Sequence, residues 1–192
     1  MHLRIIAAVD FNGAIGAKGG IPWRAPADMA RFKRLTMGHY LLLGRKTYES
    51  LPKALEGREL IVLTRSGKTQ LVHGGEIVFD LGQVVAGYAR RASEIYVGGG
   101  ADVYRLTLPM ASSLELTVVH TEAADADTFF PPVDLSVWRL QAREDRAADE
   151  KNPPLTYLSL VRRQPDVTSN PEKSGPPGCW KTALETLRDP ES

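Results

Sequence analysis

The stretch EIYVGGGADVYRLTL, residues 94–108, decides the fold class. Residues 94–97 form a short apolar run typical of a buried strand, three glycines follow directly, and residues 101–107 have helical spacing. Outward from this unit, other apolar runs alternate with helical segments: the runs cover 3–9, 40–43 and 60–63, and the helical segments cover 26–37 and 81–91. This alternation predicts an α/β fold, with a parallel sheet flanked by helices and ligands bound beyond the carboxyl ends of its strands.

After residue 108 the pattern changes from alternation to strands alone. Apolar runs at 114–118, 137–142 and 156–161 predict three strands, the last two paired as edge strands. The body of the chain, residues 1–163, is therefore expected to form a single domain.

Residues 164–192 form a tail of different composition. Residues 165–178 are rich in Pro, Ser and Gly, which is typical of a linker or disordered arm. A stripe of Trp180, Ala183, Leu184 and Leu187 then predicts a short amphipathic helix over 180–189. So short a helix persists in water only when it docks on another surface.

Composition excludes several classes of function. The chain has 192 residues, 43% of them hydrophobic, and a net charge of +1, so it has no strong field for nucleic acid. One cysteine, Cys179, excludes an internal disulfide framework and fits a reducing compartment. The apolar run near the start is too short for a signal or a membrane span, so we expect a cytoplasmic protein. The histidine spacing predicts no metal site, and Val62 stands where a P-loop needs glycine.

Asp28 is the candidate catalytic acid. On a helical wheel for 26–37 it lies in the apolar stripe with Phe32 and Leu35, flanked by Met29 and Thr36, while Arg31, Lys33 and Arg34 point elsewhere. An aspartate in a helical first turn is favoured by the helix dipole, which is the structural alternative. That alternative does not explain a carboxyl facing the core, where desolvation would raise its pKa and suit it to acid–base chemistry.

Three segments that directly follow predicted strands indicate a site for a phosphorylated cofactor. Gly44-Arg45-Lys46-Thr47 and Thr64-Arg65-Ser66 each follow a strand and place cations there, which suits a 2′-phosphate. The triplet 98–100 would let backbone approach a ligand closely. The loop from Gly13 to Trp23, with four glycines, is a candidate active-site lid.

With these residues in view, the body resembles dihydrofolate reductase. Six segments occur in the order and spacing of that family: IIAAVDFNGAIG, IPWRAPADMARFKRLT, LLLGRKTYESL, GRELIVLTR, YVGGGADVYRLTLP and DADTFFP. The resemblance covers residues 1–163 and implies a mostly parallel eight-stranded sheet with an adenosine-binding subdomain at about 39–89. It also implies NADPH-dependent reduction of 7,8-dihydrofolate to tetrahydrofolate in one-carbon metabolism, antifolates as ligands, and a monomer.

The resemblance further implies roles for individual residues. Asp28 would be the acid that binds the pterin, supported by Thr117 through a water and by a water held on Trp23, and Tyr104 would reach toward the nicotinamide and pterin. Substrate would also contact Ile6, Phe32, Lys33, Leu51, Lys53, Arg58 and Gly98, with Arg58 on the glutamate carboxylate. NADPH would contact Ala8, Ile15, Gly16, Gly44, Arg45, Lys46, Thr47, Leu63, Thr64, Arg65, Gly98, Gly99, Gly100, Ala101, Asp102, Val103 and Tyr104.

Two departures from the family and two alternatives remain open. Gly98 replaces a branched apolar residue, and one extra residue stands between Glu122 and Asp127. One alternative is the NADPH-dependent pyrimidine reductase of riboflavin synthesis, on the same fold, which would need neither Asp28 nor Arg58. The other is a non-catalytic binding module whose tail contacts a partner.

Overall fold

The computed structural model describes residues 1–67, 69–163 and 179–188. The strands are β1 His2–Val9, β2 Ala14–Gly16, β3 Tyr40–Gly44, β4 Glu59–Leu63, β5 Glu76–Val78, β6 Glu94–Val97, β7 Ser113–Val119, β8 Thr128–Phe129, β9 Trp138–Arg146 and β10 Leu155–Arg162. The helices are α1 Pro26–Thr36, α2 Arg45–Glu49, α3 Leu81–Tyr88, α4 Ala101–Thr107 and α5 Trp180–Thr186.

Eight strands form one sheet in the order β5-β4-β3-β6-β1-β7-β10-β9, and β2 pairs with β8 in a second, two-stranded sheet. β1 with β6, β6 with β3, β3 with β4 and β4 with β5 pair in parallel, while β10 is antiparallel to β7 and β9. The predicted α/β class with a mostly parallel sheet is thus confirmed. One detail was wrong: β10 lies inside the sheet, between β7 and β9, so of these two strands β9 alone is at an edge, and β5 forms the opposite edge.

The described chain divides into two compact units. Unit 1 comprises residues 1–6 and 29–111, and unit 2 comprises 7–28 with the residues from 112 onward. In unit 1, Leu41, Leu43 and Val62 belong to a buried cluster against which Phe32 and Leu51 pack. In unit 2, Trp23 packs against Ala25, Val119 and Leu155. Each unit therefore has an apolar cluster of its own.

The tail contributes α5 to unit 2. Its helix is shorter than the predicted 180–189, and the predicted linker 165–178 lies outside the described residues. The four stripe residues are all buried, which shows that the apolar face is covered: Trp180, Ala183, Leu184 and Leu187.

Across 1–67, 69–163 and 179–188, no helix has both the length and the apolar character required to cross a lipid bilayer.

Candidate functional site

The glycine triplet after β6 is packed so closely that it leaves no room for side chains. The Gly98 N–H donates to the Leu42 carbonyl at 2.9 Å, and the Gly44 N–H donates to the Gly99 carbonyl at 2.6 Å. A Cβ atom on Gly99 would lie 2.9 Å from the Tyr104 ring, and one on Gly44 would lie 2.9 Å from Val103 Cγ2. The ends of β3 and β6 are thus joined by glycine backbone.

Glycine also stands at the N-cap of both helices that begin here. Gly44 caps α2 and Gly100 caps α4, and neither cap supplies a side-chain acceptor for the first-turn N–H groups. A Cβ on Gly100 would lie 3.1 Å from the Thr47 hydroxyl oxygen, so the two helix starts are close together. Bare helix N-termini of this kind suit the phosphates of a dinucleotide, and the residues present fit such a cofactor.

Cations follow β3 and β4 at the same edge of the sheet. Gly44 pairs with Leu63 in the parallel ladder, so Arg45 and Lys46 on one strand end stand beside Thr64 and Arg65 on the next. Arg65 and Lys46 are exposed, whereas Arg45 Nη1 lies 2.7 Å from Glu49 Oε2 on its own helix. An exposed pair four residues apart is weak, so a phosphate can compete for that guanidinium.

Thr64 is less available to a ligand than the sequence suggests. It is buried, and its hydroxyl accepts a hydrogen bond from the Ser66 N–H at 3.1 Å. Its side chain thus shapes the turn that presents Arg65.

The space beside Gly98 is filled by neighbouring side chains. A Cβ there would lie 2.9 Å from Leu43 Cδ2 and 3.0 Å from Leu41 Cδ1. These two leucines take up the space that a branched residue would occupy at this position.

An apolar wall in unit 1 contains three of the predicted substrate residues. Ile6 is buried in the cluster against which Phe32 and Leu51 pack. Tyr104 is fixed beside them because its hydroxyl donates to the Ile6 carbonyl at 2.8 Å. Tyr104 therefore aligns the backbone of β1.

Arg58 carries buried donors that suit a carboxylate. Its Nε and Nη1 atoms are buried and have no hydrogen-bond partner among the described residues, and burial lowers the pKa of the guanidinium. Unsatisfied buried donors of this kind are costly, so an anionic ligand would be bound favourably. Lys33 and Lys53 are exposed.

Arg58 also lines a cavity of about 390 Å³ at the amino ends of three strands. Tyr40, Glu59 and Glu76 begin β3, β4 and β5 and line the same cavity. It therefore lies at the strand ends opposite Gly44 and Leu63.

Asp28 lies in the first turn of α1 and is half-buried. Its N–H donates to the Ala25 carbonyl at 3.0 Å. Two neighbours differ from the helical-wheel prediction: Arg31 is buried although it was placed away from the apolar stripe, and Met29 is 52% exposed. The wheel treated residues by polarity, whereas the aliphatic part of an arginine can pack as well as a methionine.

Thr117 and Trp23 lie in the same unit as Asp28. Thr117 is fully buried on β7, and its hydroxyl oxygen has no hydrogen-bond partner within the described part of the chain. A buried hydroxyl of this kind can bind a ligand or a water. Trp23 packs against Ala25 and is held in place by that contact.

Asn152 is a positioning residue that the sequence analysis missed. Its side-chain oxygen accepts from the Ala27 N–H at 2.8 Å, directly before Asp28. Its amide nitrogen donates to Asp149, whose pKa is lowered first by the Lys151 N–H and then by Arg146. No pattern marks this residue, because its partner is 125 residues away.

Asp10 was also missed, and it organises the base of the glycine-rich loop. It is fully buried and accepts from the Asn12 N–H at 2.9 Å, the Ala14 N–H at 2.8 Å and the Ala123 N–H at 2.8 Å. Three backbone donors stabilise a buried carboxylate. The base of the candidate lid is therefore fixed to the segment that follows β7.

The upper part of this loop is held by acidic residues near β8. Gly16 in β2 pairs with Thr128, and the Lys18 N–H donates to Asp127 Oδ2 at 2.7 Å. Lys18 Nζ lies 2.7 Å from Asp125, within the segment that carries the extra residue. Ile15 and Gly16 thus belong to an ordered strand.

The predicted site residues fall into two sets, one in each unit. Unit 1 holds Ile6, Phe32, Lys33, Gly44, Arg45, Lys46, Thr47, Leu51, Lys53, Arg58, Leu63, Thr64, Arg65, Gly98, Gly99, Gly100, Ala101, Asp102, Val103 and Tyr104. Unit 2 holds Ala8, Ile15, Gly16, Trp23, Asp28 and Thr117. Among the residues whose positions the structure gives, no three His, Cys, Asp or Glu side chains gather as metal ligands would.

Comparison with known proteins agrees with this geometry. Residues 2–162 match the family model described as dihydrofolate reductase. The dihydrofolate reductase of Haemophilus influenzae is 38% identical over 164 residues, which is 85% of this chain and 100% of that protein. The enzyme of Neisseria gonorrhoeae is 37% identical over 84% of this chain and 98% of its own length.

A solved structure shows the same fold. It is a dihydrofolate reductase from Enterococcus faecalis, complexed with NADP(H) and RAB-propyl, with a TM-score of 0.79 and 33% identity. The similarity covers 85% of this chain and 97% of that one. The mostly parallel sheet and these comparisons place the chain among the NADPH-dependent α/β oxidoreductases. Within that class, the chain belongs to the dihydrofolate reductase family.

Proposed function

We infer that this protein catalyses the NADPH-dependent reduction of 7,8-dihydrofolate to 5,6,7,8-tetrahydrofolate. The observation that carries this conclusion is the glycine edge of unit 1, where Gly44 and Gly100 begin two neighbouring helices without side-chain caps. The match to the dihydrofolate reductase family over residues 2–162 supports NADPH as the ligand of that edge.

Residues at this edge would hold NADPH, which supplies the hydride when bound. The backbone of Gly44 and of Gly99-Gly100 would contact the phosphates, with Thr47 beside them. Arg45, Lys46 and Arg65 would select NADPH over NADH by binding the 2′-phosphate. The other residues that the family resemblance assigns to the cofactor would contact NADPH as well.

Asp28 would bind the pterin and promote protonation of its N5 atom. Hydride transfer to C6 is easier when the neighbouring nitrogen carries a proton, so one acid among apolar walls suffices. Thr117 supports the proposal because its buried hydroxyl needs a partner, and Trp23 and Asn152 hold the helix start that carries Asp28.

Arg58 would bind the glutamate carboxylate of the substrate. Its buried Nε and Nη1 donors support this role, and Ile6, Phe32 and Leu51 supply apolar contacts. We also propose that antifolates bind the same residues and that the protein acts in the cytoplasm as a monomer.

A single assay tests the proposal. Purified protein should oxidise NADPH when dihydrofolate is added, and Asp28→Asn should lower turnover at neutral pH by about 10²–10⁴-fold. The variant should recover as the pH falls, because the substrate is then protonated in solution. Glu150→Gln, an exposed carboxylate after β9, is the matched control and should behave as wild type.

Two outcomes would contradict the proposal. A wild-type protein that oxidises NADPH with a pyrimidine substrate and not with dihydrofolate would place it with the riboflavin reductases. Near wild-type turnover of Asp28→Asn would remove Asp28 from the mechanism.

A further inference from the structure

The tail helix α5 docks on the base of the glycine-rich loop. The Trp180 N–H donates to the Phe11 carbonyl at 2.7 Å, and Lys181 Nζ lies 5.9 Å from the centre of the Phe11 ring. Both contacts lie within unit 2. The tail therefore touches the segment that links β1 to the candidate lid.

The Trp180 indole packs against Gly13. Gly13 has a φ of +79°, and a Cβ atom there would lie 3.6 Å from Trp180 Nε1. The indole is 5% exposed, so it packs directly on the bare backbone of the loop. Trp180 covers one face of the turn in which Asp10 also accepts hydrogen bonds.

With Trp180 in place, the base of the loop is hydrogen-bonded on several sides. The Phe11 N–H donates to the Thr121 carbonyl, the Gly13 N–H to the Asp10 carbonyl and the Phe130 N–H to the Gly13 carbonyl. The Phe11 carbonyl is bound by the tail. Residues 11–13 are thus held by the segments that directly follow β7 and β8 and by α5.

The far end of α5 is held separately. Arg143 Nη1 on β9 donates to the Leu184 carbonyl at 2.6 Å and to the Leu187 carbonyl at 3.0 Å. This attachment keeps the helix on unit 2 independently of the Trp180 contact. The two ends can therefore be tested apart.

We propose that Trp180 is a positioning residue for the reduction, acting through Phe11 and Gly13 on the lid. The proposal rests on the proposed function. The docked indole favours the arrangement in which β2 pairs with β8 and Lys18 contacts Asp127. Without it, the loop samples other arrangements, and the steps that need a closed lid slow down.

The test compares Trp180→Ala with Leu184→Ala in the full chain. Leu184 is also buried on α5, one turn further along, and its substitution leaves the carbonyl that Arg143 binds. Both variants should lower the melting temperature. Only Trp180→Ala should slow single-turnover hydride transfer, by about three- to tenfold, the range for a contact remote from the chemistry. It should also raise the deuterium isotope effect on kcat and leave the KM for dihydrofolate within twofold.

Two further variants sharpen the result. Trp180→Phe keeps a flat apolar ring on Gly13 and should restore most of the hydride-transfer rate. Thr182→Ala, at an exposed position of α5, should match wild type in rate and melting temperature.

Hydrogen exchange of the wild-type protein supplies a readout that needs no variant. Adding NADPH should slow amide exchange in residues 10–16 and in 179–188 together, because the Trp180 N–H bonds to the loop. Protection of the loop without any change in the tail would overturn the proposal. So would rates that fall in Trp180→Ala and Leu184→Ala in proportion to their melting temperatures. Failure of NADPH to bind at all would instead overturn the proposed function.

Discussion

Two glycine-rich segments of this protein look alike in sequence and serve opposite purposes. In 98–100, the space where side chains would stand is filled by Leu41, Leu43, Thr47 and Tyr104. In 13–20, a Cβ on Gly19 would meet nothing within 4 Å, and one on Gly20 would lie 3.9 Å from its nearest neighbour. The first segment needs glycine for close approach.

The second segment is held from outside by polar groups. Asp10, Asp125 and Asp127 bind its backbone and Lys18, and the Trp180 indole covers Gly13. A glycine in open space allows the loop around it to move. A glycine whose Cβ position is already occupied by neighbouring atoms cannot be substituted without a clash. Substitutions in the two segments should therefore differ in size and in sign.

Gly99→Ala should have the largest effect. Its φ is +102° and its Cβ would lie 2.9 Å from the Tyr104 ring, so both backbone strain and a clash oppose it. The free energy of unfolding should fall by about 3 kcal/mol, and NADPH affinity should fall with it. Urea unfolding and NADPH titration measure both.

Gly87→Ala in α3 is the control, because a Cβ atom there would have nothing within 4 Å. Its free energy of unfolding should rise by about 0.5–1 kcal/mol. Equal behaviour of the two variants would refute the contrast.

Gly44→Ala should have the next largest effect, and it should be partly reversible. The new Cβ would lie 2.9 Å from Val103 Cγ2, which predicts a loss of about 1–3 kcal/mol. Val103→Ala removes that methyl group. A double-mutant cycle of urea unfolding should therefore show that the two losses together are less than their sum. Simple additivity would mean that the contact does not limit this position.

Asp127→Asn should act on the loop in a pH-dependent way. The Thr128 hydroxyl, followed by the Lys18 N–H, lowers the pKa of Asp127 below its ordinary 3.8. A lowered pKa contributes stability that is present above the ordinary value and is lost as the pH falls through the folded-state pKa. Wild type should thus lose stability more steeply than Asp127→Asn below pH 3.8.

Urea unfolding from pH 6 to pH 2.5 measures this difference. Asp125→Asn is the matched control, because its ion pair with Lys18 is exposed and should contribute little. A steeper acid loss in Asp127→Asn than in wild type would show that the carboxylate does not hold the loop.

Gly20→Ala should have the smallest effect and the opposite sign. Its surroundings are open, so alanine should stabilise by about 0.4–1 kcal/mol through the unfolded chain. Gly19→Ala has the same open space but a φ of +80°, and it should destabilise. Comparing the melting temperatures of Gly20→Ala and Gly19→Ala separates the effect of open space from the effect of backbone conformation. A destabilised Gly20→Ala would show that the loop is packed.

Local patterns in the sequence predicted most of the fold. The apolar runs identified seven strands of the large sheet, because each is long enough to show its burial in sequence. β5 was missed, since Glu76–Val78 is three residues long and carries no pattern. The glycine triplet was predicted to let backbone approach a ligand closely, and that stays a prediction; the structure shows that its backbone bonds to Leu42 and Gly44.

Residues that act through distant partners were beyond sequence reasoning. Asp10 bonds to Ala123 and Asn152 to Ala27, so nothing nearby in the chain marks either of them. The tail stripe predicted that α5 must dock, and this was right because its apolar face is buried. The surface that receives it, Phe11 with Gly13 and Arg143, is assembled only by folding.

Arg143 binds α5 through two main-chain carbonyls, and this has a consequence for how the tail can diverge between species. Every residue type supplies a main-chain carbonyl, so substitutions at such positions leave the acceptor for Arg143 in place. Gly13 is instead required by its own φ of +79°, since a Cβ atom there would stand at an ordinary contact distance of 3.6 Å from the Trp180 indole. We expect glycine at 13 to be retained in related sequences whichever residue stands at 180, while 184 and 187 vary among apolar residues independently of 143.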